Sequence, residues 1–71
     1  MSDNNGLILA IQEKQKQERL TLAEMAIRLG VSHATLSRVY SGERRPGRKL
    51  LGGIMNAYPD LKDKVALFLS G

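Results

Sequence analysis

The chain has 71 residues and no cysteine, so neither a disulfide framework nor a thiolate metal site can support the fold. This length allows one domain, over residues 1–71. The formal net charge of +4 favours an anionic partner. The longest apolar run, residues 7–11, is far shorter than the roughly 18 residues of a membrane span, and the N-terminus lacks the basic start of a signal peptide. We therefore expect a soluble, cytoplasmic protein.

Apolar residues recur at helical spacing and no segment alternates over a strand length, which predicts an all-α fold of about five short helices. The first helix is predicted over residues 5–17, with Asp3 or Asn5 as its N-cap. Its apolar stripe consists of Leu7, Ile8 and Ile11. Residues 12–19 are predicted to be polar and solvated, and Leu20 returns to the core.

Two further helices are predicted within residues 21–40. Thr21 is the expected N-cap of the second helix, because Glu24 follows three residues later and completes a capping box. Gly30 ends this helix, where a left-handed turn favours a residue without a Cβ. Ser32 then caps a third helix over residues 33–40. The inward positions are Leu22, Met25, Ala26 and Leu29 in the second helix, and Leu36, Val39 and part of Tyr40 in the third. Two short capped helices joined by a glycine turn are typical of a helix-turn-helix.

A loop over residues 43–46 leads to a fourth helix, predicted over residues 47–57, and Asp60 is expected to cap a fifth. The expected core positions are Leu50, Leu51, Ile54 and Tyr58 for the fourth helix, and Leu61, Val65, Phe68 and Leu69 for the fifth. Gly52 and Gly53 lie inside the fourth helix, where each costs roughly 0.5–1 kcal/mol relative to Ala. Either close packing against a neighbour or simple tolerance would account for this pair.

Basic residues concentrate between the end of the third helix and the start of the fourth. They are Arg38, Arg44, Arg45, Arg48 and Lys49, and Glu43 is the one acid among them. Such a cluster is either a solvated loop or a surface that contacts phosphates.

Residues 20–46, LTLAEMAIRLGVSHATLSRVYSGERRP, resemble the Cro/phage-repressor (XRE-type) helix-turn-helix family. The shared features are the Thr cap, the apolar-Ala pair at residues 25–26, Leu-Gly-Val-Ser at residues 29–32, and a Gly, a basic loop and a Pro within residues 42–46. The similarity extends over roughly residues 7–69. It implies a lambda-repressor-like domain whose partner is double-stranded DNA, and a transcriptional regulator of the repressor kind.

The resemblance assigns two sets of contacts by position. The start and outer face of the third helix would read bases in the major groove: Ser32, His33, Ala34, Thr35, Ser37 and Arg38. Phosphates would be contacted by Thr21, Arg44, Arg45, Arg48 and Lys49. Arg38 could donate to both O6 and N7 of a guanine. Thr35 could equally pack inward, and Tyr40 is expected in the core rather than stacked on a base.

Two positions in the motif depart from the family's pattern. Leu22 stands where the family usually has a polar residue, often Gln, that contacts phosphate, so backbone N–H groups or Thr21 would have to make that contact. Tyr40 stands where the family often has Glu.

Further expectations concern partners and chemistry. The chain could be a protein-interaction module, such as an antitoxin, that uses the apolar stripe of its fifth helix. It could also form a homodimer through the fourth and fifth helices and read a palindrome. An enzyme is not expected, because the sequence offers no nucleophile with a base, no paired carboxylates and no glycine-rich phosphate loop. His33 is the sole histidine, so neither a metal site nor a cofactor is expected.

Overall fold

The computed structural model describes the backbone of residues 3–70 and the side chains of residues 6–70. This part of the chain is all-helical and contains no strand. The five helices are α1 (Asp3–Gln17), α2 (Leu22–Leu29), α3 (His33–Ser41), α4 (Arg48–Ala57) and α5 (Lys62–Ser70), with a 3₁₀ turn (Pro59–Leu61) between the last two. The predicted fold class is confirmed. No helix of the described chain is both long enough and apolar enough to cross a membrane.

The N-termini of α2 and α3 are capped as predicted. The Oγ1 atom of Thr21 accepts the N–H of Glu24 at 3.1 Å, and Oε1 of Glu24 accepts the N–H of Thr21 at 2.8 Å. The Oγ atom of Ser32 accepts the N–H of Thr35 at 3.1 Å. These bonds satisfy backbone donors that have no partner within the helix, and each cap contributes about 1 kcal/mol.

The first three helices end in the same left-handed turn. The residue in that conformation is Gly30 after α2 (φ 75°) and Gly42 after α3 (φ 86°), as the sequence predicts for Gly30. After α1 it is Arg19 (φ 56°), which no sequence signal predicts. A side chain with a Cβ costs roughly 1–2 kcal/mol in this region, so Arg19 is held there against its own preference.

The core lies where α1 packs on α5, and where α2 packs on both α3 and α4. Its buried members are Leu7, Ile11, Met25, Ala26, Leu29, Leu36, Val39, Leu50, Leu51, Ile54, Tyr58, Leu61, Val65 and Phe68. The predicted core is confirmed with one exception. Leu69 is 66% exposed, because in the last turn of α5 its neighbour Phe68 takes the inward position.

The two positions inside α4 that carry glycine do so for different reasons. A Cβ on Gly53 would lie 1.9 Å from the carbonyl oxygen of Leu29, so α4 crosses the end of α2 at a distance that only glycine allows. A Cβ on Gly52 would meet nothing within 4 Å. Close packing therefore accounts for Gly53, and tolerance accounts for Gly52.

Two predicted caps are wrong. Helix α1 already includes Asp3, so Asn5 lies inside the helix, and the side chain of Asp3 falls outside the described residues. Asp60 lies in the 3₁₀ turn, which runs directly into α5, and makes no capping bond to that helix. Instead its Oδ2 atom lies 2.6 Å from Nζ of Lys14, and this hydrogen-bonded ion pair holds the pKa of Asp60 below its usual value.

The prediction that residues 12–19 are simply solvated is wrong at Gln15. Its Nε2 atom donates to the carbonyl of Leu20 at 3.2 Å, and its Oε1 atom accepts the hydroxyl of Tyr40 at 2.8 Å. Nearby, the hydroxyl of Tyr58 donates to Oε1 of Glu18 at 2.9 Å. Burial is the main reason that the pKa values of Tyr40 and Tyr58 are each raised to about 12. Two tyrosines thus bind the end of α1 to the rest of the fold.

Candidate nucleic-acid interface

The outward face of α3 is a continuous polar surface. His33, Ala34, Ser37 and Arg38 are exposed, whereas Leu36 and Val39 on the opposite face are buried. Residues four apart lie on one side of a helix, so 33 with 37 and 34 with 38 form two adjacent rows. Among the described residues, Arg38 takes part in no ion pair. Its guanidinium is therefore free to bind an external acceptor.

Two of the predicted base-reading residues bond to each other. The hydroxyl of Ser32 donates to Oγ1 of Thr35 at 2.8 Å, in addition to accepting the Thr35 N–H. Thr35 is half-buried, which is intermediate between the two alternatives predicted for it, packing inward and facing DNA. Its hydroxyl hydrogen is not used by Ser32 and can still donate outward. The pair therefore holds the first turn of α3 in place and leaves one donor for a ligand.

The start of α2 lies exposed at Thr21, but its first helical residue turns inward. Leu22 is half-buried and packs against the core. Thr21 is exposed, and its oxygen accepts the Glu24 N–H while its own hydroxyl hydrogen can still be donated. A phosphate at this end would be bound by Thr21 and by backbone donors, since Leu22 offers no polar group.

The loop between α3 and α4 is anchored at two places. The carbonyl of Arg38 accepts the N–H groups of Glu43 at 2.9 Å and of Arg44 at 3.3 Å. The guanidinium of Arg45 lies 5.4 Å from the centre of the Phe68 ring in α5, a cation–π contact that sequence patterns did not predict. Pro46 is buried. The loop thus presents its basic residues from a defined backbone.

The first turn of α4 carries an unusual distribution of charge. Arg48 and Lys49 are both exposed there, the turn contains no acid, and Gly47 at the N-cap provides no side-chain bond. Cations at a helix N-terminus are unfavourable because the macrodipole is positive there. The same combination of free N–H groups, dipole and cations is favourable once an anion is bound.

The start of α3, the loop after it and the start of α4 meet around one open cavity of about 240 Å³. It is lined by Val31, Ser32, Thr35, Arg44, Gly47, Lys49 and Leu50. Four predicted contact residues, two of each set, therefore lie around one cavity between the start of α3 and the start of α4. The other seven predicted contact residues do not line it: Thr21, His33, Ala34, Ser37, Arg38, Arg45 and Arg48. Within the described residues no three His, Cys, Asp or Glu side chains come together to hold a metal ion.

The model of the helix-turn-helix domain family matches residues 12–59, which is more than half of the chain. The chain belongs to this family. The helix-turn-helix domain also has a relative in Bacillus subtilis (strain 168), YvzC, named as an uncharacterized HTH-type transcriptional regulator. The two are 47% identical over 38 residues, which is 54% of this chain and 49% of the relative, so the chain spans about half the length of that protein. No solved structure gives a significant match. The XRE-like helix-turn-helix resemblance is confirmed.

A second basic cavity, which the sequence did not predict, lies at the other end of α3 beside Tyr40 and includes Lys16 and Arg19. No local signal in the sequence predicts it. Residues 30 and 42 carry glycine, whereas the corresponding position after α1 carries arginine, and the positive φ of Arg19 is seen only in the folded structure.

Proposed function

We propose that this helix-turn-helix domain binds double-stranded DNA at specific sequences as a transcriptional regulator, and that it acts as a repressor. In this proposal α3 lies in the major groove, where each base pair shows a distinct pattern of donors and acceptors. The family membership and the name of the Bacillus subtilis relative support a regulator of transcription.

The observation that carries the proposal is the cationic first turn of α4 next to the exposed face of α3. Arg48 and Lys49 oppose their own helix dipole and have no acid nearby in that turn. An isolated domain gains nothing from this arrangement, whereas a DNA phosphate would convert the repulsion into attraction. Arg44 on the adjacent loop adds a third cation. These residues, with Thr21 and Arg45, are the proposed phosphate contacts.

Base recognition is assigned to the residues on and next to the outer face of α3. Arg38 is the proposed bidentate donor to guanine, and His33 and Ser37 supply further donors or acceptors. Ala34 and the Thr35 methyl group suit the methyl group of thymine. Ser32 completes this set at the N-cap, where its bond to Thr35 positions the first turn of the helix.

The test is selection from a random pool of duplex DNA with the purified chain, followed by salt titration on the selected sequence and on an unrelated one. Arg38→Ala should weaken binding to the selected sequence by roughly 1–3 kcal/mol and relax the preference at one base pair. The matched control is Arg28→Ala, because Arg28 is an exposed arginine on α2 that pairs with Glu18 at 3.4 Å. An equal loss on every sequence would contradict base reading by Arg38.

We also propose a homodimer through α4 and α5. Three apolar side chains on these helices support it: Met55 is 39% exposed, Leu67 59% and Leu69 66%. A palindromic selected motif, and a dimer in sedimentation that Leu67→Gln with Leu69→Gln disperses, are the expected results. A monomer that selects a single half-site would contradict the dimer alone.

The same exposed side chains support a second candidate, a module that binds a partner protein. Absence of DNA binding at low salt, together with stoichiometric capture of one protein, would favour this candidate over DNA binding.

A further inference from the structure

An open cavity of about 590 Å³ lies between the end of α1 and the C-terminal end of α3. Its lining consists of Gln12, Gln15, Lys16, Arg19, Leu20 and Tyr40, which includes two cations and no acid. Within residues 6–70 the ion pairs are Lys14 with Asp60 and Arg28 with Glu18. Lys16 and Arg19 therefore have no ionic partner in the described structure, and both side chains are exposed.

Arg19 occupies a backbone position that the chain otherwise gives to glycine. After α1, the N–H of Arg19 donates to the carbonyl of Lys16 at 3.1 Å, and the N–H of Leu20 donates to Gln15 at 3.0 Å. This is the Schellman pattern, in which the residue with positive φ is usually glycine.

The turns after α2 and α3 repeat the pattern with glycine. The N–H of Gly30 donates to Ile27 at 3.1 Å, and the N–H of Gly42 donates to Val39 at 3.2 Å. In each turn the next N–H again reaches back five residues. Three equivalent turns thus differ in one respect, the long cationic side chain of Arg19. Its conformation is unfavourable for an L-residue, so the side chain contributes something that the fold itself does not need.

The position of this cavity suits a contact with phosphates of the DNA strand on the other side of the major groove. Tyr40, at the C-terminal end of α3, lines it, and Arg19 lies two residues before Thr21, the exposed N-cap of α2. The basic cavity described above lies at the N-terminal end of the same helix. A helix in the major groove is flanked by phosphates of both strands, about 12 Å apart across the groove. Leu22 cannot supply a polar contact at this end, whereas Lys16 and Arg19 can.

We propose that Lys16 and Arg19 form a second phosphate site for the DNA backbone at the α1 end of the recognition helix, with the glutamine amides of the cavity as additional donors. This site rests on the proposed DNA-binding function. Its ligand is the phosphodiester group, so it strengthens binding to every sequence and reads none.

The experiment measures binding of the whole chain to a labelled random-sequence duplex by fluorescence anisotropy, between about 50 and 200 mM salt. The test variant combines Lys16→Gln with Arg19→Asn, since Asn accepts a positive φ. The control combines Lys62→Gln with Lys64→Gln, which removes the same charge from exposed positions on α5. Each lost phosphate contact should flatten the salt slope by about 0.9 and weaken binding roughly eightfold at about 0.1 M salt. The control should change the slope little.

Single variants separate binding from folding. Arg19→Asn should weaken binding with a Tm at or above that of the original chain, because the strain is relieved while the contact is lost. Arg19→Lys should keep the slope. The second site would be overturned if the test and control variants had equal salt slopes. It would also be overturned if Arg19→Asn lowered the Tm enough to account for its weaker binding. Neither result would contradict DNA binding itself. If the original chain binds no duplex at low salt, the proposed function itself fails, and this site with it.

Discussion

Replacing Gly53 by alanine tests the contact that fixes α4 against α2. The added Cβ would lie 1.9 Å from the carbonyl oxygen of Leu29 and 2.8 Å from its carbonyl carbon, both of them backbone atoms. Real Cβ contacts essentially never fall below 3.0 Å, so the two helices would have to separate by roughly 1 Å. No side-chain rotation can relieve such a clash.

The magnitude follows from two opposing effects. Alanine gains roughly 0.5–1 kcal/mol over glycine inside a helix. Overpacking of a core costs about 1–3 kcal/mol, and the backbone origin of this clash places it at or above the upper end. A domain of this size has a total free energy of unfolding of about 4–10 kcal/mol, so Gly53→Ala should remove a large share of it. Gly52→Ala is the matched control, because it has the same helix-forming gain and no clash.

Urea unfolding followed by circular dichroism measures both variants. We expect Gly52→Ala to be more stable than the original chain by about 0.5–1 kcal/mol, and Gly53→Ala to be less stable by about 2 kcal/mol or more. DNA affinity should fall with Gly53→Ala even at temperatures where it remains folded, because α4 carries Arg48 and Lys49 and shifts relative to α3. If the two variants prove equally stable, the close contact of α4 with Leu29 does not hold the fold together.

Three further predictions concern the caps, the loop and pH. Thr21→Ala should lower the free energy of unfolding by about 1 kcal/mol through loss of the capping box, and Thr21→Ser should restore it. Arg45→Ala should flatten the salt slope of DNA binding by about 0.9 and cost about 0.5–1 kcal/mol of stability through its contact with Phe68. The folded pKa values of Tyr40 and Tyr58, about 12 against 10.0, mean that their stabilisation is complete below pH 10 and is lost as the pH rises towards 12. Unfolding in urea at a series of pH values checks this, and Tyr40→Phe should reduce the alkaline loss.

Each of these three predictions has an outcome that would contradict it. If Thr21→Ala left the free energy of unfolding unchanged, water would replace the capping hydrogen bonds without a loss of stability. An unchanged salt slope for Arg45→Ala would remove that residue from the phosphate contacts. A free energy of unfolding that stays level between pH 10 and 12 would show that the two hydroxyls are not shielded as their burial implies.

The local signals were sufficient for the helices of the motif. The capping box at Thr21, the serine cap at Ser32 and the glycine at residue 30 depend on neighbours within four residues, so their geometry follows from the adjacent sequence. Apolar spacing likewise identified nearly the whole core. The exposed face of α3 follows from the same periodicity, and the resemblance to the helix-turn-helix family assigned base reading to residues on and next to that face.

Contacts between distant parts of the chain could not be obtained in this way. The pairing of Lys14 with Asp60, the bond from Tyr40 to Gln15 and the stacking of Arg45 on Phe68 each join separate helices or turns. Leu69 has the spacing of a core residue, yet it is exposed, because burial depends on what lies opposite and not on the period alone.

The sequence by itself therefore determined the helices, the caps of α2 and α3, the helix-turn-helix pattern and the cationic loop, since each follows from interactions within one or two helical turns. The tertiary structure alone decided why Gly53 must be glycine, which basic residues share a cavity, and that Arg19 adopts a conformation suited to glycine. These depend on distances across the core, and such distances exist only once the helices have packed.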